Sequence, residues 1–245
     1  MAPDVLILDE RFNGPPGSGN GGYSAGRLAA FVDGPAEVTL RLPPPLGREL
    51  QVVRDGDEVR LVDDDALVAV ALPAIVDVEV PAAVSLEQAR AAAERFPWYE
   101  GHPYPTCFVC GPARPPGDGL HIYAGPVEGT EVGGAPLHAA PWTPSADLAG
   151  EDGVVDDVFV WCALDCPGST PVFALPGVGS ELVLGRLAVD VRAPVRAGEP
   201  HVVQGWAIGR DGRKLYAGSA LFTADGEPLA VAASTWIVLR RPVGG

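Results

Sequence analysis

The alternation of apolar and polar positions divides the chain into short strand-like runs gathered around two more continuous apolar stretches. Val5 to Leu8 reads as a strand, and a glycine-rich stretch from Asn13 to Gly22 follows it. Tyr23 to Asp33 carries the Ala and Leu content of a helix, and Gly34-Pro35 supplies a stop. Four β-like runs come next: Glu37 to Leu42, Glu49 to Arg54, Glu58 to Val62 and Leu67 to Leu72. Turn-forming sequence separates them, notably Pro43-Pro44-Pro45-Leu46-Gly47 and Asp55-Gly56-Asp57. Ser85 to Phe96 predicts a second helix, with Ser85 and Gln88 spaced as a capping box and Pro97 ending it. From Trp98 to Asp152 the density of Pro and Gly predicts a loop-rich junction.

The order then repeats. Asp156 to Cys166 predicts a helix stopped by Pro167-Gly168, as Gly34-Pro35 stops the earlier one. Strands are predicted at Leu182 to Val191, His201 to Ile208, Lys214 to Thr223 and Leu229 to Leu239. The turns match too: Asp211-Gly212 stands where Asp55-Gly56 stood, and Ala193 to Glu199 where Pro44 to Glu49 stood. The chain therefore divides into a first repeat, 1–100, and a second, 101–245, opening on the junction. A helix has to bury its apolar stripe, and one curved antiparallel sheet offers a face to wrap around it. The expected class is α+β, two such units joined edge to edge with a cleft between the helices.

Composition narrows the partners. The chain has 245 residues, of which 47% are hydrophobic and 20% charged, the balance of a packed globular protein. Its 32 acidic against 17 basic residues give a net charge of -15, which argues against nucleic acid as a partner. A small anion remains compatible where a few cations converge, and Arg186, Arg192, Arg196, Arg210, Arg213 and Lys214 are the candidates. Proline interrupts the longest apolar run, Leu67 to Val76, and no basic segment leads into an apolar one at the start. A cytoplasmic protein with no membrane partner is expected, and its four cysteines do not suggest a disulfide framework.

Three short stretches resemble a known superfamily. Trp161-Cys162-Ala163-Leu164-Asp165-Cys166-Pro167-Gly168 resembles the central helix of PaaI-type hotdog proteins. Cys107-Phe108-Val109-Cys110-Gly111-Pro112, with Gly119-Leu120 after it, is similar to an opening motif of the same proteins. Gly21-Gly22-Tyr23-Ser24-Ala25 with Pro43 to Gly47 resembles thioesterase-like proteins related to acyl-CoA thioesterase II. The resemblance implies a double hotdog that binds an acyl-CoA or acyl-carrier thioester between its repeats. It also implies a helix-borne carboxylate as base or nucleophile, helix N-terminal N–H groups as carbonyl donors, and no metal or organic cofactor. A homo-oligomer of double-hotdog chains is compatible with it.

On this reading Asp165 is the first catalytic candidate, because flanking apolar residues desolvate a carboxylate and raise its basicity. Asp33, which takes the equivalent place in the first repeat counted from Gly26-Arg27-Leu28-Ala29-Ala30-Phe31-Val32, is the second, although Asp before Gly-Pro is also ordinary turn chemistry. Gly21, Gly22 and Tyr23 are expected against the ligand, with Trp161 touching the acyl chain and Arg186 the anionic end. Asp156 and Asp157 stand at the second helix start, where they oppose an oxyanion. Cys107 and Cys110 form a C-x-x-C pair with His102 upstream, and Cys162 and Cys166 would complete a zinc set. A single such pair reads more simply as buried cysteine, and no metal is expected. The acidic run Asp63 to Asp65 reads as a hairpin tip, and no G-x-S-x-G nucleophile motif is present. The alternative function is a non-catalytic acyl-thioester or lipid-binding module. Hydration chemistry is disfavoured, because none of the four histidines falls on a proposed central helix.

Overall fold

The computed structural model describes residues 4–178 and 181–239. Strand β1 (Asp4–Ile7) precedes helix α1 (Gly21–Ala29), and β2 (Ala36–Leu40), β3 (Glu49–Asp55), β4 (Glu58–Asp63) and β5 (Ala66–Pro73) follow. Helix α2 (Leu86–Ala93) leads to β6 (Gly125–Val132) and β7 (Ala135–Trp142), then to α3 (Asp157–Val172). The chain closes with β8 (Leu182–Val191), β9 (His201–Asp211), β10 (Lys214–Thr223) and β11 (Pro228–Val238).

The strands form one 11-stranded sheet in the order β1-β3-β4-β5-β2-β8-β11-β10-β9-β7-β6, every pair antiparallel. The two halves meet at β2 and β8, where Ala36 pairs with Val189 and Thr39 with Arg186. Helices α1 and α3 lie against the sheet and against each other. The principal core runs between sheet and helices, through Leu28, Val38, Leu61, Leu164, Leu187 and Leu215, all buried. The matched turns hold: Gly56 and Gly212 each adopt the positive φ that lets a two-residue hairpin follow the twist of its strands. Asp64 does the same at the β4–β5 tip, where the acidic run was expected to turn.

Three expectations change. The Ser85 capping box forms in both directions, Ser85 Oγ accepting from Gln88 N and Gln88 Oε1 from Ser85 N. The helix it starts packs on β6, β7 and β9. Ala89 and Ala92 join Val127, Leu137, Val202 and Trp206 in a second, smaller core. So α2 covers strands of the second half.

The supposed junction loop contains β6 and β7. Its prolines fall where ladder partners are missing, Pro126 on the outermost strand β6, Pro136 paired toward β6 alone and Pro141 toward β9 alone, and Gly125 passes so close to Ala92 O that a Cβ would lie 2.0 Å from it.

Helix α3 does not stop at Pro167 but continues to Val172 through Pro167 and Pro171. Each proline removes an intrahelical bond, and Thr170 Oγ1 donates to the Pro167 carbonyl that Pro171 leaves open, at 3.1 Å. Gly205 of β9 makes room for this turn, since a Cβ there would lie 2.0 Å from Pro167 O. Burial of Pro167, Gly168, Pro171 and Val172 against the sheet offsets the backbone penalty.

Candidate active site

The site begins where the two central helices touch. Two glycines one turn apart on α1 let the backbones approach: a Cβ on Gly22 would lie 2.7 Å from both Asp165 Cβ and Trp161 O, and one on Gly26 2.9 Å from Trp161 Cβ. Asn20 is the N-cap of α1, its Oδ1 accepting from Tyr23 N at 2.9 Å. Its amide nitrogen then donates to Asp165 Oδ2 at 3.0 Å, and Gly22 N–H donates to the same oxygen at 2.9 Å. The start of one central helix thereby fixes a carboxylate on the other.

Asp165 is 2% exposed, and its second oxygen, Oδ1, is buried with no hydrogen-bond partner among the described residues. Burial pushes its carboxyl up to about 7, while the Gly22 and Asn20 donors hold it back. A carboxylate with one oxygen clamped and the other free is suited to accept a proton or attack a carbon.

Asp165 lines a cavity of about 430 Å³. Leu182, Leu184, Trp236 and Ile237 give it an apolar wall, and Gly21 borders it at the first turn of α1, where a backbone N–H has no partner within its own helix. Arg41 stands exposed at its edge and makes no ion pair among the described residues. Tyr104 and Cys107 close another side. They belong to the loop carrying the C-x-x-C motif, which Arg114 organises: its side chain is 7% exposed, lies over the Phe108 ring and bonds Thr106 O and Asp118.

Asn20, Arg41 and Tyr104 were not anticipated from sequence. Asn20 carried a signal, as an N-capping residue immediately before the glycine pair.

No protein-family model matches the chain, and no curated protein matches it in sequence. Solved structures do match it in shape. The tesB protein of Mycobacterium avium subs paratuberculosis aligns with a TM-score of 0.61 at 14% identity, over 96% of this chain and 92% of that one. The acyl-CoA thioesterase II TesB2 of Mycobacterium marinum gives 0.60 at 13%, over 98% and 93%. A conserved protein with hot dog fold from Alicyclobacillus acidocaldarius gives the same values. The fold is a double hotdog.

The double hotdog has two clefts related by its internal repeat. The second, about 700 Å³, is lined by Ala29, Asp156, Asp157, Val158 and Trp161 among others. Counted from the N-caps Asn20 and Asp156, the position matching Asp165 is Ala29, and those matching Gly21 and Gly22 are Asp157 and Val158. The second cleft thus lacks a central carboxylate and has acidic side chains at its helix start.

The remaining expected residues fall outside the Asp165 cavity. Asp33 is exposed in the turn after α1, because that helix ends at Ala29. Tyr23 faces the core, stacked on Phe12 at 4.0 Å with its hydroxyl accepting from Arg27. Trp161 packs under Gly26 and borders the other cleft. Arg186 is on an exposed strand position, bonded to Thr39 and paired with Glu37 at 3.3 Å. Asp165, Gly21 and Gly22 do come together. No histidine lies on α1 or α3. No helix among the described residues is long and apolar enough to cross a membrane.

Proposed function

We propose that this double hotdog hydrolyses an acyl thioester of coenzyme A or an acyl carrier, with Asp165 as its catalytic group. The repeat boundary belongs after β5 in this reading, so that α2 joins the second unit. One observation carries the proposal: the buried carboxylate of Asp165, with one oxygen clamped and the other without a hydrogen-bond partner among the described residues, lines a largely apolar cavity. The shape likeness to an acyl-CoA thioesterase II favours a thioester as substrate.

The acyl chain lies along the wall of Leu182, Leu184 and Ile237, leaving the thioester carbon near Asp165. Its carbonyl oxygen accepts from the Gly21 N–H, reinforced by the positive end of α1. Asp165 Oδ1 takes a proton from water as that water's oxygen bonds to the carbonyl carbon. The tetrahedral intermediate then expels the thiolate, which takes the proton from Asp165, giving a free acid and a thiol. Arg41 at the cavity edge meets the phosphate-bearing end of the carrier. The other cleft, with Ala29 in place of the carboxylate, takes no part in the chemistry.

A panel of acyl-CoA substrates read by thiol release tests this. Asp165→Asn is the informative variant, because the amide oxygen can still accept from Gly22 and Asn20. Turnover is expected to fall by about 10² to 10⁴, with folding retained. Wild-type protein that binds acyl-CoA but hydrolyses it no faster than background would instead establish the binding-module reading. Unchanged turnover in Asp165→Asn would remove Asp165 from the mechanism.

A further inference from the structure

We propose that Cys107, Cys110, Cys166 and His102 form a binding site for a single zinc ion, which ties the C-x-x-C loop to helix α3. The fold gathers residues that the sequence keeps apart. The Sγ atoms of Cys107, Cys110 and Cys166 all lie within 4.8 Å of one another, and all three side chains are buried. Cys107 and Cys166 are 3.8 Å apart; His102 lies outside this group of three and approaches it at Cys110, with Nε2 3.4 Å from Cys110 Sγ, so it completes the set by a small movement of its ring.

These spacings can be set against coordination geometry. With Zn–S about 2.3 Å and Zn–N about 2.0 Å, tetrahedral ligands stand about 3.8 Å apart for two sulfurs and about 3.5 Å for nitrogen and sulfur. A disulfide between Cys107 and Cys166 would instead draw the sulfurs to about 2.05 Å. Room for an ion exists as well: a cavity of about 50 Å³ is lined by all four residues.

The loop is shaped for the purpose. Gly111 N donates to Cys107 O at 2.9 Å, closing a tight turn in which a Cβ on Gly111 would lie 2.5 Å from Cys107 N. Three soft thiolates and an imidazole select zinc over harder cations. Because every ligand comes from the protein, the site is closed and serves structure rather than catalysis.

On binding, the three thiols release their protons to solvent. His102 Nδ1 accepts from Tyr104 N at 2.9 Å, which keeps the ring proton on Nε2 in the metal-free protein. Ligation through Nε2 moves that proton to Nδ1 and releases the Tyr104 N–H. One neutral hydrogen bond is a small loss against the affinity of a structural zinc site. Cys162 is buried on the same helix but lies outside the cluster, and so supplies a matched control.

Metal analysis of the purified full-length chain tests the proposal without reference to turnover. One equivalent of zinc per chain is expected in the wild type and in Cys162→Ser, and none in Cys107→Ser, Cys110→Ser or Cys166→Ser. Chelator-stripped wild-type protein, refilled with Co²⁺, should show thiolate-to-cobalt charge transfer and tetrahedral d–d bands, so the outcome does not depend on how the variants fold. Stripped protein that takes up no Co²⁺ would overturn the proposal. So would zinc retained by the three cluster variants, or a Cys107–Cys166 disulfide found by intact mass in protein purified under reducing conditions.

Discussion

Gly22 bears on both packing and chemistry, and an added methyl group separates the two. In Gly22→Ala the new Cβ would lie 2.7 Å from Asp165 Cβ and from Trp161 O, and 3.0 Å from Cys162 Cα. Ordinary carbon contacts need about 3.5 to 4.0 Å, so α1 and α3 must separate locally by about 1 Å. The Gly22 N–H bond to Asp165 Oδ2, now 2.9 Å, would then stretch beyond hydrogen-bonding range. Overpacking costs about 1–3 kcal/mol, and the better helix propensity of Ala returns up to about 1 kcal/mol. A net loss of stability of about 1–2 kcal/mol is expected. The catalytic loss should be larger, about 10²-fold in kcat, because the carboxylate loses one of its two clamps and its alignment.

Gly26→Ala is the control. Its Cβ meets Trp161 Cβ at 2.9 Å and Val158 Cα at 3.1 Å, a comparable overlap one turn away from the carboxylate. It should cost similar stability and no more than a few-fold in kcat. Urea unfolding gives the stabilities, and thiol release from a common acyl-CoA gives kcat. If Gly22→Ala turned over like the wild type, or both variants lost activity in proportion to stability, the clamp would have no catalytic role.

Arg41→Ala should raise KM for an acyl-CoA about tenfold while leaving kcat and the KM of an acyl-pantetheine thioester unchanged; equal increases for both substrates would show that Arg41 does not read phosphate. Burial holds His138 down to about 4. The unfolded chain therefore binds a proton that the folded chain refuses, and stability falls as pH drops from about 6.5 to about 4, by about 3 kcal/mol in total. Unfolding free energies at pH 7 and pH 4.5, compared with His138→Gln, isolate this effect, and parallel curves for the two proteins would contradict it. Thr170→Val removes the donor to Pro167 O and should cost about 1–2 kcal/mol in urea unfolding, with kcat unchanged. An unaltered midpoint would mean that the carbonyl finds another partner.

Much of the sheet could be read from the chain because its strands are marked locally. Alternating residues between Asp-Gly turns are enough to place β3, β4, β9 and β10. Strands β6 and β7 escaped because Gly125, Pro126, Pro136 and Pro141 are loop residues by propensity. Their tolerance here depends on missing partners, with Pro126 on the outermost strand, Pro136 paired toward β6 alone and Pro141 toward β9 alone, and on a helix packed closely against Gly125, none of which a local window contains. The zinc candidates show the same limit: the sequence offers both Cys162 and Cys166 to the Cys107–Cys110 pair, and the choice of Cys166 comes from a contact spanning 59 residues.

The misplacement of Asp33 traces to a single inference about helix length. Counting along Gly26 to Val32 carries the first helix on to Asp33 and makes that residue the counterpart of Asp165. Helix α3 in fact runs through Pro167 and Pro171 for 16 residues, whereas α1 has 9. The alignment that survives is at the N-caps, and it pairs Asp165 with Ala29. This changes the chemistry as well as the register. Had Asp33 matched Asp165, each cleft would hold a carboxylate opposite the other repeat's helix start. Instead, Asn20, Gly21 and Gly22 at the start of α1 face Asp165, while Asp156, Asp157 and Val158 face Ala29. A carboxylate at position 29 would meet acidic side chains at the opposing helix start, with no counterpart of the Asn20 amide to clamp it. The charge that caps α3 and the absence of a second carboxylate are therefore consistent with each other, and they favour one working site per chain.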